Sequence, residues 1–566
     1  MIKNLPNINS VGHLTLLKKT DPSLKRTFYL ETNTCEHYNS VNENLIYHIK
    51  RVLDKNMNET NELFDVVVVG GGINGTGTAA DAAGRGLNVL LCEQNDLASA
   101  TSSNSSKLIH GGLRYLEHYE FKLVRQALAE REVLLRNAPH IIKPLTFRLP
   151  HQRHLRPYWL IRAGLFLYDN LAKRVTLSAS KSIKFTEDSP LVSTIKKGFE
   201  YSDGWVDDAR LVVLNALAAQ DRGTIIKTKT KCIEAVRQND TWLITLENRL
   251  NGKTYTVRSR SVVNASGPWV AKLFSQALPL KSPQNVRLVK GSHIVVPRIH
   301  NEPEAYMLQN ADQRIVFVIP FEEDFSLIGT TDVEYTGELG DVKISEGEIQ
   351  YLLNITNEYF KKKVSREDIV TTYSGVRPLL DDESVNAQAV TRDYTLELED
   401  ADGQAPILSI FGGKITTYRK LAEAAVDKIS PYFNNIGGQW TAQTPLPGGN
   451  FTNINILTEG VEKEFPWLPE KLRTRLIRSY GTRIFALLNN SSSTESLGYY
   501  FGADLYEQEV NFLIEQEWAI EIEDIIWRRT KRGLYLTENQ IRKIKEYLSK
   551  HPLIIEKKAS TFVKVA

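Results

Sequence analysis

Gly70, Gly72 and Gly75 form the pattern G-x-G-x-x-G, directly after the apolar run Phe64 to Val69 and before the small-residue stretch Ala79 to Gly86. Glycines at that spacing let a backbone approach a pyrophosphate at the N-terminus of a helix. Asn74, inside the loop, is a secondary contact to the same ligand. Glu93 falls 18 residues after Gly75, at the end of the run Asn88 to Cys92, where a carboxylate accepts a hydrogen bond from an adenosine ribose. The chemistry these residues suit is dinucleotide binding; a glycine turn without a ligand is the alternative.

The elements that must hold them follow from the flanking residues. FDVVVV is short, continuous and β-branched, which predicts a strand buried on both faces. Ala79 to Gly86 predicts a helix packed closely on the sheet, and Asn88 to Cys92 a second strand. Ser261 to Ala265 predicts another strand, which brings Gly267 to the same cofactor, with an ordinary strand-end turn as the alternative. Pro406 to Phe411 runs into Gly412, Gly413 and Lys414, then a helix with apolar positions at Ile415, Tyr418, Leu421, Ala422, Ala425, Val426 and Ile429. Its N-terminus, carrying about half a positive charge, suits the negative charge that builds on the N1/C2=O side of a flavin. With one dinucleotide fingerprint in the chain, the cofactor reads as FAD and not as FAD beside NAD. Thr416 is a secondary contact at that helix start. Lys414 opposes the positive helix end and so requires an anionic partner, either a substrate phosphate or a reduced flavin.

The 566 residues are 42% hydrophobic and 24% charged, which excludes disordered, collagenous and coiled-coil classes. A formal charge of +3 is too even for a protein that coats nucleic acid, so no nucleic-acid partner is expected. Cys35, Cys92 and Cys232 are too few and too scattered for a disulfide framework or a thiolate metal site, so no metal is expected and a reducing cytosol is the simplest compartment. No run approaches the roughly 18 to 20 apolar residues of a spanning helix, so membrane contact is expected to be peripheral. Residues 1–62 read as a poorly ordered extension without a signal or transit pattern, and Met57 is the expected native start.

The string Thr101 to Tyr115 (TSSNSSKLIHGGLRY), following such a unit, resembles the FAD-dependent glycerol-3-phosphate dehydrogenases, most of all the aerobic, respiratory bacterial ones. The likeness includes Gly70 to Gly86, Trp205 to Arg210 (WVDDAR), Lys290 to His293 (KGSH), Ile328 to Asp332 (IGTTD), Ser374 to Pro378 (SGVRP) and Phe411 to Lys414 (FGGK), and runs from about residue 57 to the C-terminus. It implies oxidation of sn-glycerol 3-phosphate to dihydroxyacetone phosphate on FAD, with electrons passed to a membrane quinone. It also implies attachment at the inner face of the bacterial cytoplasmic membrane, and it leaves room for a homodimer. Oxygen as electron acceptor, and a non-catalytic FAD-holding protein, are the competing readings.

The resemblance also assigns residues. Arg114 and Arg377 match the family's phosphate clamp, where guanidinium forks supply about 1.5–3 kcal/mol per charge-assisted hydrogen bond. Tyr115 and Lys414 join them, and Arg392 is a further pocket residue or a solvated loop residue. His293 is the leading general base for the C2 hydroxyl, with a structural histidine as the alternative. Thr101, Ser102 and Ser106 are expected to donate to cofactor oxygens with Lys107 supplying a cation, and His110 and Gly111 to contact the cofactor.

The expected fold class is α/β: a Rossmann-type FAD-binding domain (63–137, 200–277 and 370–435) interleaved with an α+β substrate domain (138–199 and 278–369). A linker (436–450) and a C-terminal α-helical domain (451–566) follow, the latter an appendage. Tyr158 to Arg174 predicts a basic amphipathic helix, suited either to an anionic lipid surface or to packing on the substrate domain. Arg528 to Arg532 (RRTKR) reads as a solvated basic face, with lipid or a partner protein as alternatives.

Overall fold

Residues 63–380, 393–401 and 403–559 are described by a computed structural model. The expected extension, Met57 and Arg392 lie outside them.

Strand Leu63–Val69 is buried along most of its length and pairs in parallel with Thr254–Asn264 on one side and Val89–Cys92 on the other. Ile407–Gly412 pairs in parallel with Thr254–Asn264, and Ile225–Lys227 with Val89–Cys92. The carboxyl ends of these parallel strands therefore open along one edge, which is where doubly wound sheets take their ligands. Helix Ile73–Gly84 packs against Asp208–Gln220 and Tyr418–Ile429 on one face of the sheet. Its alanines Ala79, Ala80 and Ala82 are buried, and their small side chains are what allow the close approach. The antiparallel strands Thr230–Gln238 and Thr241–Asn248 carry the buried Trp242 and Ile244 on the other face.

A second, ten-stranded sheet is mostly antiparallel, and its axis is Val286–Pro297, hydrogen-bonded to Phe325–Gly329 and to Thr371–Leu380. The register sets Gly291 opposite Gly375, His293 opposite Tyr373 and Val289 opposite Arg377. Paired residues in such a ladder share a face, so one face presents His293, Tyr373 and Arg377 together while Ser292 and Ser374 point to the other. Helix Glu346–Tyr359 covers that other face, started by a capping box between Ser345 and Glu348.

Two boundaries differ from expectation. Residues 200–206 and 371–380, expected in the FAD-binding domain, belong to Lys197–Val206 and Thr371–Leu380, which hydrogen-bond into the second sheet. Residues 436–450 form a strap seated on the first domain: the Trp440 indole donates to the Asp81 carbonyl at 3.2 Å and lies under the Arg222 guanidinium at 3.7 Å.

The C-terminal domain is mainly helical, with Glu470–Tyr480, Glu507–Gln516 and Glu538–Lys550 around their own apolar core and one small hairpin, Tyr500–Gly502 with Leu505–Tyr506. It is not an appendage, and Arg528 to Arg532 is not a solvated face. Arg529 pairs with Asp96 at 2.7 and 2.8 Å, Arg528 with Asp96 at 2.6 Å, Lys531 with Asp207, and Arg532 with Glu322 at 3.0 Å. In return Arg210, in the first domain, pairs with Glu517. All of these groups are largely removed from water, so each ion pair compensates charges that would be costly alone.

Candidate active site

A cavity of about 340 Å³ runs along the carboxyl edge of the parallel sheet and under the axis of the second sheet. Its lining includes Cys92, Glu93, Thr230 and Cys232, the residues Tyr115, Thr330, Arg377 and Lys414, and Gly70, Gly72, Asn74, Thr101, Ser102, Ser106, His110, Gly267, Gly412, Gly413 and Thr416.

The glycine loop is shaped by contact. A Cβ at Gly75 would lie 1.9 Å from the Gly70 carbonyl oxygen, so only glycine closes the turn into the helix, and Gly75 itself lies behind the loop that lines the cavity. Glu93 accepts the Gly71 amide at 2.6 Å and the Asn95 amide at 2.7 Å, fixing its carboxylate beneath the loop, while burial pushes its pKa up. Asn74 donates to the Gly412 carbonyl at 3.1 Å and so ties the first loop to the last; its Oδ1, buried and without a hydrogen-bond partner, is an acceptor left for a ligand. Gly412, at φ +76, turns the chain from strand to the short helix Ile415–Thr417.

The serine-rich segment divides its work. Ser102 Oγ accepts the Ile73 amide at 3.0 Å, and Thr101 donates to the Val376 carbonyl at 2.6 Å. Lys107, expected at the cofactor, turns away: its Nζ is buried on Asp208 at 2.7 Å and on the Ser103 carbonyl at 3.0 Å. Gly111 is also behind the cavity wall, its amide donating to the Tyr168 hydroxyl at 2.9 Å. The His110 amide donates to Thr416 Oγ1 at 3.2 Å, which joins this segment to the helix start after Gly413.

Lys414 Nζ lies 3.7 Å from the centroid of the Tyr115 ring. Arg377 pairs with Asp332 and donates to Thr330 Oγ1 at 3.2 Å. Arg114 belongs to the short helix Leu113–His118, and its side chain lies outside the described part of the structure. His293 is 1% exposed and lies behind Ser106, whose hydroxyl is 2.9 Å from Nε2. Its ring stacks on Tyr373, with centroids 4.7 Å apart at 21°. Burial first, then Arg377 and Lys107, hold its pKa well below the ordinary histidine value, which favours the neutral imidazole.

Thr330, Asp332, Tyr373 and Glu348 were not foreseen as site residues. The motif IGTTD was the available signal for the first two. Glu348, on the far face, accepts from Ser292 at 2.8 Å and Thr331 at 2.7 Å and pairs with Lys290 at 2.8 Å. Burial acts to raise its pKa, but the hydrogen bonds from Lys290, the Ser345 amide and Thr331 outweigh it and hold the carboxyl at about 2.

Comparison with known proteins accords with this geometry. The family model for FAD dependent oxidoreductases matches residues 65–419, and that for the C-terminal domain of alpha-glycerophosphate oxidase matches residues 439–550. The glycerol-3-phosphate dehydrogenase of Pseudomonas aeruginosa is 55% identical over 493 residues, 87% of this chain and 96% of that protein. The aerobic glycerol-3-phosphate dehydrogenase of Escherichia coli K12 is 54% identical over 488 residues, 86% of this chain and 97% of that protein. The solved structure of the Bacillus halodurans glycerol-3-phosphate dehydrogenase complexed with FAD superposes with a TM-score of 0.68 at 25% identity, covering 90% of this chain and 97% of that one. The edge cavity, its glycine loop and the orphaned Asn74 acceptor suit FAD, and the chain belongs to the FAD-dependent glycerol-3-phosphate dehydrogenase family.

Proposed function

We propose that the protein oxidises sn-glycerol 3-phosphate to dihydroxyacetone phosphate and passes the electrons to a membrane quinone. The observation that carries this reading is that Arg377, Lys414, Tyr115 and Ser106 line one cavity with the glycine loop, with His293 behind Ser106. FAD, when bound, supplies the two-electron acceptor for the hydrogen on C2. Gly70, Gly72, Asn74, Glu93, Thr101, Ser102, Gly267 and Gly412 would hold it. Arg377, Lys414 and Arg114 hold the phosphate dianion, and Asp332 orients the Arg377 guanidinium. Fixing the phosphate limits the positions open to C2, so remote binding energy is used to orient the reacting carbon. His293 takes the C2 hydroxyl proton as the ketone forms.

Exposure of the helix Tyr158–Asn170 supports the membrane half of the reading. Trp159 is 70% and Phe166 63% exposed, whereas Leu165 and Tyr168 are its buried residues. Arg125, Lys173 and Arg174 line an open depression beside its C-terminal end, together with Asp169, which pairs with Arg174 at 3.5 Å. Aromatic side chains beside cations are what an anionic interface takes up. No helix among the described residues is long and apolar enough to cross a membrane, so attachment would be peripheral, at the inner face of the cytoplasmic membrane.

Anaerobic titration of the purified protein tests the reading: glycerol 3-phosphate should bleach the flavin, and a soluble quinone analogue should restore its colour. Turnover that releases peroxide while leaving the quinone analogue unreduced would replace the dehydrogenase reading with an oxidase.

A further inference from the structure

Three consecutive residues, Ser105, Ser106 and Lys107, are treated differently by the fold. Ser105 Oγ donates to Asp208 at 2.7 Å, and Lys107 pairs with the same carboxylate at 2.7 Å. The two flanking side chains are thus pinned to one buried anion, and the backbone between them is fixed. Ser105 and Ser106 both line the cavity, and the Ser106 hydroxyl lies 2.9 Å from His293 Nε2.

His293 has no latitude to approach the cavity itself. Tyr373 stacks on one face of its ring and is anchored by a hydrogen bond from its hydroxyl to the Ser105 carbonyl at 2.9 Å. Gly329 closes in from the adjacent strand, where a Cβ would lie 2.1 Å from His293 Cδ2. Nδ1 is buried without a hydrogen-bond partner, so the hydrogen-bonded outlet of the ring is Nε2, and Ser106 occupies it.

We infer that Ser106 is a catalytic residue that relays the substrate hydroxyl proton to His293, and that His293 does not touch the substrate. This rests on the reading that a secondary alcohol phosphate is oxidised here, and it adds the path of the proton. FAD, when bound, would accept the C2 hydrogen with its electron pair; on this chain's side the hydroxyl O–H bond breaks toward Ser106 Oγ while the Ser106 proton moves to Nε2. Carbon and oxygen are left as a ketone, Ser106 is restored as a hydroxyl, and His293 holds the proton as imidazolium. The charges and titratable groups around the ring are Arg377 and Lys107, with Tyr373 stacked on it.

Ser106→Ala and Ser106→Thr test it, each isolated with FAD and mixed anaerobically with glycerol 3-phosphate. Ser106→Ala should reduce its flavin about 100-fold more slowly or worse, the usual worth of a positioned proton acceptor. Its FAD content and its dissociation constant for glycerol 3-phosphate should stay within about twofold of wild type, and Ser106→Thr should recover most of the rate. In mixtures of light and heavy water the wild-type rate should curve with deuterium fraction, as two protons in flight require, and Ser106→Ala should give a straight line. Fast reduction by Ser106→Ala alongside slow His293→Gln would show direct transfer to histidine and overturn the relay, leaving the substrate reading intact. Loss of FAD from Ser106→Ala would assign the hydroxyl to the cofactor and overturn it equally. A wild-type flavin that stays oxidised under glycerol 3-phosphate would remove the substrate reading and the relay with it.

Discussion

Arg377 is held by Asp332: one terminal nitrogen of its guanidinium pairs with that carboxylate, while the other reaches Thr330 Oγ1 at 3.2 Å. A side chain fixed in this way holds its guanidinium plane in one orientation. That is the property a phosphate clamp needs, because a bidentate fork gains from being oriented before the ligand arrives.

Replacing Arg377 with Ala should therefore raise KM and lower kcat together. Losing one charge-assisted contact of about 1.5–3 kcal/mol predicts a fall in kcat/KM of about 10- to 150-fold. Asp332→Asn should give a milder form of the same defect. Steady-state kinetics across glycerol 3-phosphate concentrations check both, and an unchanged KM in Arg377→Ala would remove this residue from the clamp.

His293→Gln should slow flavin reduction by about 100- to 10,000-fold, the range for loss of a general base, while the affinity for glycerol 3-phosphate stays near wild type. Stopped-flow reduction under nitrogen separates the two quantities. Fast reduction in this variant would place the proton acceptor elsewhere.

Arg529 and Asp96 join the C-terminal domain to the loop three residues beyond Glu93, and both are buried. Arg529→Met leaves Asp96 with Arg528 alone, and breaking such a pair from one side costs about 3–5 kcal/mol. The expected outcome is a lower unfolding midpoint and faster loss of FAD on dilution, measured by denaturant titration and flavin fluorescence. Equal cofactor retention in mutant and wild type would uncouple this contact from the cavity.

Acid should destabilise the fold in a window set by buried groups. Burial raises the Glu517 carboxyl, but Arg210 and Arg483 outweigh it and hold it at about 2 against an ordinary 4.5. A folded value below the unfolded one means that its contribution is complete above about pH 4.5 and is lost as pH falls toward 2. His140, pushed down from 6.5 to about 3 by burial and then by Arg210 and Arg483, acts in the same direction, its contribution draining away below pH 6.5. Urea midpoints at pH 7, 5.5 and 4 should fall in that order, and a flat series would contradict both assignments.

Trp159→Glu with Phe166→Glu should abolish sedimentation with vesicles containing anionic lipid, since each removes an exposed aromatic from the helix Tyr158–Asn170. Flavin reduction by glycerol 3-phosphate in detergent-free buffer should be unaffected. Unaltered vesicle binding would move the attachment site to another face.

The cofactor half of the site was legible because its signals are local. Gly70, Gly72 and Gly75 sit within six residues of each other beside an apolar run, and Glu93 follows one helix later. The far half was legible only where short strings such as KGSH and SGVRP matched a family, since nothing in the spacing of His293 and Arg377 announces that two strands set them on one face. What escaped were contacts made across the whole chain. Arg529 and Asp96 are 433 residues apart, so five residues rich in arginine and lysine gave no hint that their partners were waiting in another domain. Lys107 was misplaced for the same reason: Asp208 lies 101 residues away. Residues 200–206 of the strand Lys197–Val206 fall to the second sheet and not the first because their pairing with Ile142–Pro150 depends on register and not on composition.

The cross-domain ion pairs also bear on how this architecture can be cut and reused. A chain ending before residue 439 would leave Asp96, Asp207 and Arg210 without Arg529, Lys531 and Glu517, and would uncover the surface on which those pairs form. The oxidoreductase body is therefore not a transplantable module. Fusion, truncation or exchange of the last hundred residues would succeed only if the incoming segment brought cations and an anion to the same three places.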